Sequence, residues 1–453
     1  KDSILTIDGK KGINTHGADI INTADNGLTQ LRASDGSINL GTVSTATHMT
    51  AGERSDKNHW INHYQNEVGT NITAVGDINL LAGDQLNIRQ SDIDSYQGNV
   101  NLYGKNSVNI SEGRQQTELD HSTYDKSSGF LSKKTTLDQY QANYNEAVAS
   151  NITGAKVKIS SDKDINIRGS NIISDNGTLL HAGNDINISA AENHYTDRQY
   201  HKETKSGLMG SGGIGFTIGS QKESDDTTSQ SLIHSGSSIG SLSGNTSLIS
   251  GGATNIKGAQ VTGKGVSIDA AELNIESLQD TAKYDSKQEN ISGQVTVGYG
   301  ASGSVNYSKS KIKADYAGVT EQSGIIAGDN GYQIKVKGNT DLKGAIITST
   351  QAAEAAGKNQ LITGSLTSSD IKNHSDYKGS SIGIGVSGNY GGGWTGQSKD
   401  GVNKSLGFGH DSGHDSSTTH SGINTNNIII TDETAQQQKT GKNAAQTIAG
   451  IHP

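Results

Sequence analysis

The clearest candidate for metal chemistry is a histidine-rich stretch late in the sequence. His410-Asp-Ser-Gly-His-Asp-Ser-Ser-Thr-Thr-His420 offers three imidazoles and two carboxylates. Such groups bind zinc and other transition metals when a fold gathers them around one point. The intervening residues are small and polar, and no paired-histidine zinc motif accompanies them. The sequence therefore favours a solvated loop, and we predict no metal site.

A glycine-rich stretch is the candidate for cofactor chemistry. Gly298-Tyr-Gly-Ala-Ser-Gly303 matches GxGxxG, a pattern that binds a pyrophosphate only between the strand and the helix of a βαβ unit. No such unit surrounds it, so we predict a hairpin bend. The sequence contains no Walker motif and no cysteine, which excludes thiol redox centres and thiolate metal sites. We predict no catalytic residues, no cofactor and no enzymatic activity.

The elements that would position any site are very short strands that begin at a turn. In Gly183-Asn-Asp-Ile-Asn-Ile188, Gly, Asn and Asp favour a turn because they tolerate positive φ. The two isoleucines that flank one Asn have the period of a strand and share one face. We expect the Asn residues to stack in a hydrogen-bonded ladder or to face solvent. The phrase recurs at 76–80, 83–88, 98–102, 107–110, 163–167 and 272–275.

The spacing of the apolar residues predicts the architecture. One series runs Val157, Ile165, Ile172, Leu179, Ile186, and an earlier one runs Ile78, Leu86, Ile93, Val100, Val108. Three such steps make roughly 20–24 residues, a solenoid period. A strand this short gains a core only by stacking on copies of itself, whereas sandwiches and conventional barrels expect longer, hairpin-connected strands. We therefore predict an all-β fold, a right-handed parallel β-helix with projecting antiparallel hairpins.

Composition agrees with a solenoid and limits the possible partners. Of 453 residues, 30% are hydrophobic and 4% aromatic, which is low for a globular core but enough for a thin ladder of Ile, Val and Leu. The single proline argues against an array of domains joined by linkers. A net charge of −9 without a basic block disfavours nucleic acid as a partner. We find no signal peptide and no apolar run long enough for a transmembrane helix.

Five polar stretches interrupt the repeated phrase. We predict a β-helix over residues 1–430, followed at 431–453 by a polar segment that forms a linker or a short helix. Ala352–Ala356 is expected to form one helical turn or a loop. The hairpin excursions are predicted at about 46–70, 112–150, 192–232, 276–324 and 367–422.

Three of these excursions contain strands in which apolar residues alternate with Gly, Ser or Thr. This alternation is typical of membrane-spanning β-strands, although spanning takes about 9–11 residues and these runs have roughly 7–9. Their apolar faces have three possible fates: packing on the flank of the helix, pairing with one another, or entering lipid. The candidate membrane-directed residues are Ile214, Phe216, Ile218, Val295, Val297, Tyr299, Ile382, Ile384 and Val386.

The order of these phrases resembles a known family. Residues 183–193, a Lys-Ser-Gly-Leu-Met-Gly hairpin and residues 237–252 resemble the haemagglutinin repeats of filamentous-haemagglutinin-like two-partner secretion exoproteins. Residues 315–328 and 338–345 are similar to the second repeat region of contact-dependent growth inhibition toxins of Gram-negative bacteria. The resemblance covers most of the chain and is strongest from about residue 151 onward.

The resemblance implies a filament on the surface of a Gram-negative producer, exported by an outer-membrane secretion partner or held in the periplasm before delivery. In that family a C-terminal toxin enters a neighbouring cell, and the second repeat region is proposed to associate with the target outer membrane. The sequence stops at Pro453 without a toxin domain, so we expect a fragment that carries no toxin activity. The receptor is not identified by any residue.

The predicted function is therefore a non-enzymatic stalk and translocation module. One alternative is a haemagglutinin-type adhesin segment that binds host cells or matrix. The other is a β-helical polysaccharide lyase or glycosidase, which would need Asp, Lys or Arg clustered on one face of adjacent coils. Asn and Ser occupy most such positions in this sequence, which disfavours the enzyme.

Overall fold

The described part of the chain consists mainly of β-strands. A computed structural model describes residues 3–129, 131–209, 216–297, 301–390 and 401–451. Within these residues, 27 strands form one parallel sheet and 10 form one antiparallel sheet. The all-β class predicted from the sequence is confirmed.

The strands follow one another with short connections throughout the chain. In the first half they are β1 (Ile4–Asp8), β2 (Gly12–His16), β3 (Asp19–Asn22), β4 (Leu28–Ala33), β5 (Ser37–Gly41), β6 (Val43–Ala51), β7 (His59–Val68), β8 (Asn71–Ala74), β9 (Asp77–Ala82), β10 (Gln85–Arg89), β11 (Asp92–Ser95), β12 (Val100–Gly104), β13 (Ser107–Ser111), β14 (Gly113–Gly129), β15 (Ser132–Val148), β16 (Asn151–Gly154), β17 (Val157–Ser161), β18 (Asp164–Arg168), β19 (Asn171–Ser174), β20 (Thr178–Ala182) and β21 (Ile186–Ser189).

The second half contains longer strands and the three helices. They are β22 (Ala191–Met209), β23 (Phe216–Ser235), β24 (Ser237–Ser241), β25 (Thr246–Ser250), β26 (Ala253–Lys257), β27 (Ala259–Ala270), β28 (Glu272–Glu276), β29 (Gln279–Val297), β30 (Ala301–Val319), β31 (Gly324–Lys343), β32 (Ile346–Thr348), α1 (Gln351–Ala355), β33 (Gln360–Ser369), β34 (Ile371–Tyr390), β35 (Gly401–Thr419), β36 (Gly422–Ile423), β37 (Ile428–Ile430), α2 (Glu433–Thr440) and α3 (Ala444–Ile451).

The parallel strands stack in three columns, and one strand from each column makes one coil of a solenoid. The first column begins β1, β4, β9, β12, β17, β20, β25 and ends at β37. The second begins β2, β5, β10, β13, β18, β21, β26, β28. The third begins β3, β8, β11, β16, β19, β24 and ends at β36. The long strands β27, β31 and β33 bend from one column into the next.

Aliphatic side chains of successive coils lie above one another and fill the interior. In the second column Ile38, Leu86, Val108, Ile165 and Ile186 occupy equivalent positions, and each has no exposed surface. Burying one such side chain contributes about 1.5–3 kcal/mol. Stacking therefore provides the core that a five-residue strand lacks alone.

Asparagines of the second column form the ladder expected from the repeated phrase. The side-chain amide of each residue donates to the amide oxygen of the asparagine one coil before it, over 2.7–2.9 Å. A continuous chain of hydrogen bonds thus runs along the outside of the column and favours this register. The ladder consists of Asn14, Asn39, Asn87, Asn109, Asn166, Asn187, Asn255 and Asn274.

Most of the apolar positions predicted as core are buried, but Leu179 is an exception. Thr178 and Leu180 face the interior of β20, whereas Leu179 is half-buried on the outside. The cause is the register with β17, in which Val157 lies opposite Thr178. The Thr178 hydroxyl donates to the Gly240 carbonyl over 2.7 Å, which makes its burial tolerable.

The three helices found among the described residues are short and lie at or near the last coils. α1 forms at the predicted alanine-rich run, and its N-terminus is capped by the Thr350 side chain. Within the segment predicted as a polar linker or a short helix, 431–453, the structure has α2 and α3. Gln436 is fully buried and hydrogen-bonds the backbone of Leu366, and Ile451 joins the core. These contacts hold the segment against the coil.

The ten antiparallel strands come from five hairpins that pair with one another. The hairpins are β6–β7, β14–β15, β22–β23, β29–β30 and β34–β35. Neighbouring hairpins are joined edge to edge through β7–β14, β15–β22, β23–β29 and β30–β34. The result is one continuous sheet, which we call the wing. The hairpins thus pair through the edges of their strands and not through their apolar faces.

Candidate functional surface

All five hairpins leave the solenoid at the same corner. Each follows a strand of the second column and precedes a strand of the third, as β14 and β15 do between β13 and β16. The wing is therefore attached along one edge of the solenoid, and its strands extend away from that edge.

The hairpins also leave at a fixed interval, one on every second coil. The coil of β9, β10 and β11 has no hairpin, the coil of β12, β13 and β16 has one, and this alternation continues along the chain. Strands in a sheet are about 4.8 Å apart, so two coils rise about 9.6 Å, which is also the width of one two-stranded hairpin. This equality lets the hairpins pair without stretching the solenoid.

A ladder of buried serines stabilises the corner. Ser150, Ser170 and Ser237 are almost fully buried just before or at the start of third-column strands. The Ser150 amide donates to the Ser170 hydroxyl over 3.3 Å, and the Ser170 amide donates to the Ser237 hydroxyl over 3.0 Å. The bend interrupts the regular strand pairing. The serine hydroxyls therefore supply the hydrogen-bond acceptors that the backbone amides at the corner would otherwise lack.

An ion pair fixes the neck of the first hairpin. Arg89 donates Nε and Nη2 to the two Glu67 oxygens over 2.6 and 2.7 Å, and the Thr42 hydroxyl donates over 2.7 Å. Burial alone would raise the pKa of the Glu67 carboxyl. The hydrogen bonds from Arg89, Thr42 and the Arg114 backbone outweigh burial and lower that pKa to about 2.

The outer part of the wing presents exposed apolar side chains on one face. Directly paired residues share a face of a sheet, and the register pairs Ile218 with Val295, Val305 with Val386 and Ile384 with Leu406. We call this set the apolar face, and each member is 40–73% exposed. Its members are Ile218, Ile291, Val295, Val305, Ile384, Val386, Val402, Leu406 and Phe408.

The predicted membrane-directed residues map onto this face as far as the structure describes them. Ile218, Val295, Ile384 and Val386 belong to it, and Ile382 lies beside Phe408 on the same face with less exposure. The backbones of Phe216 and Val297 pair directly on the adjoining strands. Ile214 and Tyr299 lie outside the described residues.

Five members of the apolar face were not among the predicted candidates. Val305 and Ile291 lie on strands in which polar residues interrupt the alternation of apolar side chains. Val402, Leu406 and Phe408 lie on β35, where Lys404 interrupts the apolar series. A search for period-two spacing that tolerated one lysine would have found them.

The opposite face of the outer wing carries small residues. Gly385 faces Asn306 and Ser405 on the neighbouring strands. A Cβ added at Gly385 would lie 2.5 Å from the Ser405 hydroxyl and 2.9 Å from the Asn306 amide oxygen. One face is therefore apolar and the other is closely packed and weakly polar.

Histidine–carboxylate pairs recur across the inner wing. His59 and Asp120 are 2.8 Å apart, and the hydrogen bond to that carboxylate raises the pKa of the His59 imidazole. His234 and Asp280 are 2.9 Å apart. These pairs connect neighbouring strands and link hairpin to hairpin.

The histidine-rich stretch was predicted as a loop, and that prediction was wrong. His410 and His414 lie on β35, because the stretch pairs along its length with β34. His414 contacts Asp376 on the neighbouring strand, and His420 lies 3.0 Å from Asp370. In the described ranges, no group of three or more His, Cys, Asp or Glu side chains is arranged to hold a metal ion.

Together the fold and its surface define a class of protein: a β-solenoid that carries a laterally attached antiparallel sheet with an exposed apolar face. The Hemagglutinin repeat family model matches residues 49–142 and 130–291, which is more than half of the chain. The chain belongs to this family.

Similar curated proteins are much longer than this chain. Toxin CdiA of Escherichia coli is 35% identical over 310 residues, covering 63% of this chain and 10% of the relative. tRNA nuclease CdiA-2 of Burkholderia pseudomallei (strain 1026b) is 36% identical over 277 residues, covering 60% of this chain and 9% of the relative. 16S rRNA endonuclease CdiA of Enterobacter cloacae is 33% identical over 315 residues, covering 66% of this chain and 10% of the relative. The chain thus spans about a tenth of each relative.

No solved structure matches the chain significantly. Among the described residues, no helix has both the length and the apolar character needed to cross a membrane.

Proposed function

We propose that this chain is a non-enzymatic stalk and translocation module of a contact-dependent growth inhibition exoprotein. The three columns form a right-handed coil that serves as the stalk. The apolar face of the wing engages the outer membrane of a target cell and helps a C-terminal toxin to cross it. The whole protein is secreted to the surface of a Gram-negative bacterium through an outer-membrane partner, with the periplasm as a holding place before delivery.

One observation carries this proposal: the apolar face is solvent-exposed along strands that alternate with small polar residues. From the level of Phe408 to that of Val402 the described rows, which also contain Lys222 and Lys404, span six residue steps, or about 20 Å at 3.4 Å per residue. One leaflet contributes about half of a 30 Å hydrocarbon core. The described part of the face is therefore deep enough to enter a leaflet.

A paired substitution tests the proposal. Val295→Asp combined with Val305→Asp places two carboxylates on the apolar face, and each costs up to about 3 kcal/mol in hydrocarbon. We expect vesicle binding by the purified chain to fall at least about tenfold. The matched control is Ile21→Asp with Ile249→Asp, two exposed isoleucines of the solenoid, which should bind vesicles like the unchanged chain.

The same variants in the whole exoprotein separate the competing functions. Failure of toxin delivery with cell adhesion intact supports translocation, whereas unchanged delivery with lost adhesion supports the adhesin alternative and contradicts our proposal. Depolymerisation of a polysaccharide by the purified chain would support an enzyme instead.

A further inference from the structure

The wing has two outer edges, and the longer of them is β35. In the order of the strands the described wing ends at β6 on one side and at β35 on the other. β6 has 9 residues, whereas β35 has 19 and pairs with β34 along its whole length without a bulge. In the described structure no strand lies on the other side of β35. That side therefore offers a straight row of backbone N–H and C=O groups for pairing.

The devices that usually keep a strand edge from pairing are scarce on β35. Proteins protect such edges with proline, bulges, charged side chains or a covering segment. β35 contains no proline and no bulge, and Lys404 is its single lysine. Asp411 accepts a hydrogen bond from the Tyr377 hydroxyl, and His414 contacts Asp376. Both of these partners belong to β34, so the polar side chains are held toward the inside of the wing.

Within the described residues, the chain supplies no further hairpin beside β35. A sixth hairpin would have to leave two coils after the fifth. In the next coil, however, the side chain of Gln436 on α2 hydrogen-bonds both the backbone N–H and the backbone C=O of Leu366. Ile451 on α3 joins the core at the same end. The two helices thus occupy the place where the next strand of the second column would pair.

The junctions between the hairpins show what fits such an edge. At β7–β14, β15–β22, β23–β29 and β30–β34 the wing joins one hairpin to the next by antiparallel pairing of exposed edges. A second copy of β35 continues this interface, because a twofold axis perpendicular to the sheet sets two identical strands antiparallel. The same axis keeps the apolar faces of both copies on one side of the joined sheet.

The apolar row of β35 selects the position of the axis. With the axis at Gly407, Leu406 of each copy lies opposite Phe408 of the other. These two side chains are 61% and 73% exposed in the single chain, and this register gives each an apolar neighbour. A shift of the axis by one residue would instead set Lys404 opposite Phe408, or Leu406 opposite His410.

This arrangement is sterically open and of modest size. Residues 401–413 of the two copies lie side by side, with about six pairs of backbone hydrogen bonds. From the axis at Gly407 to Thr419, where β35 ends, the strand extends about 40 Å. The two solenoids therefore lie at opposite ends of the joined sheet and do not collide. The interface is smaller than the 20–30 residues a side of a standard complex, so we expect a weak, concentration-dependent dimer.

We propose that β35 is a self-association edge, through which two copies of this chain join their wings into one antiparallel sheet. The joined sheet carries both apolar faces on the same side and so doubles the apolar surface. This inference goes beyond the proposed function, because the pairing takes place in water and needs no membrane.

Gly407 allows a test at the axis itself. The residue is exposed, and a Cβ added there meets no atom within 4 Å. Its side chain would lie on the face opposite Leu406 and Phe408, so the apolar face stays intact. Gly407→Lys and Gly407→Glu each set two like charges against each other at the axis, whereas an equimolar mixture sets opposite charges there. Gly450→Lys on α3 is the matched control, since a Cβ added at Gly450 also meets no atom within 4 Å.

Sedimentation velocity over a series of concentrations measures the association. We expect the unchanged chain and Gly450→Lys to dimerise alike. Each Gly407 variant should lose at least about tenfold in dimer affinity, and the mixture of the two should regain it. Urea unfolding midpoints establish that each variant is folded.

Three results would overturn the inference: an unchanged chain that stays monomeric throughout the series, a dimer that neither Gly407 variant weakens, or folded variants that do not recover when mixed. The second result would mean that the copies meet at another surface, such as β6. None of these results bears on the proposed function, because every variant keeps the apolar face.

Discussion

The interval of two coils per hairpin yields a counter-intuitive prediction: a small deletion should be more harmful than a large one. Removing residues 157–177 deletes one hairpin-free coil and joins Lys156 to Thr178. The columns stay in register, because Val100 then lies over Thr178 and Asn109 over Asn187. The second and third hairpins, however, now leave on successive coils.

The magnitude follows from the strand spacing. Successive coils separate the two hairpins by about 4.8 Å, although each hairpin is about 9.6 Å wide. The pairing of β15 with β22, which extends from Ser132–Gly207 to Asn145–His194, cannot persist near the solenoid. Each backbone hydrogen bond lost costs about 1 kcal/mol net, so the wing should lose several kcal/mol.

The comparison variant removes residues 157–245, two coils together with the third hairpin. Lys156 is joined to Thr246, Asn109 lies over Asn255, and β15 meets β29 with the correct antiparallel direction. The interval of two coils is preserved, so we expect the shortened wing to remain closed.

Hydrogen exchange read by mass spectrometry is the assay. Peptides from β15 and β22 should lose protection in the 21-residue deletion, whereas peptides from β15 and β29 should stay protected in the larger one. Peptides from β10 and β13 report the solenoid in both variants. Full protection of β15 in the small deletion, or its loss in the large one, would refute the spacing relation.

Three further predictions concern single side chains. Asn166→Ala interrupts the asparagine ladder and should lower the free energy of unfolding by about 1–2 kcal/mol in urea titrations, with Asn101→Ala as the control outside the ladder. Ser170→Ala leaves the buried Ser150 amide unsatisfied at the corner and should cost about 1–3 kcal/mol by the same measurement, with the half-buried Ser160→Ala as its control outside the corner. Because Glu67 has a lowered pKa of about 2, its contribution, about 3 kcal/mol, is present above pH 4.5 and lost as the pH falls toward 2. Glu67→Gln should therefore remove that acid-dependent part of the unfolding curve.

Each of these has a clear contrary outcome. Equal losses of unfolding free energy in Asn166→Ala and Asn101→Ala would mean that the ladder adds nothing beyond packing. Equal losses in Ser170→Ala and Ser160→Ala would likewise mean that the buried serine does not stabilise the corner. An acid-unfolding profile of Glu67→Gln that matches the unchanged chain would show that the Arg89 contact does not stabilise the fold.

The solenoid was predictable from sequence because its signal is local. Positions such as Ile165 and Ile186 recur with nearly constant spacing, and any stack of short strands must bury them. The error at Leu179 has an equally local cause. Two adjacent leucines follow Thr178, and the sequence alone does not show that the threonine has a buried hydrogen-bond partner.

The sequence patterns did not predict the continuous wing, because pairing between hairpins depends on how the coils stack in three dimensions. Residues such as Val305 and Val386 lie far apart in sequence, and only the rise of the intervening coils brings β30 beside β34.

The neighbour-only contacts of the three columns bear on how the chain reaches its folded form. Each strand pairs with one strand from the coil before and one from the coil after, so a newly emerging segment needs only the template already in place. Folding can therefore advance from one end as a moving front. A chain that appears gradually on the far side of a barrier could be drawn forward as each coil settles, since every added coil makes backward movement more costly.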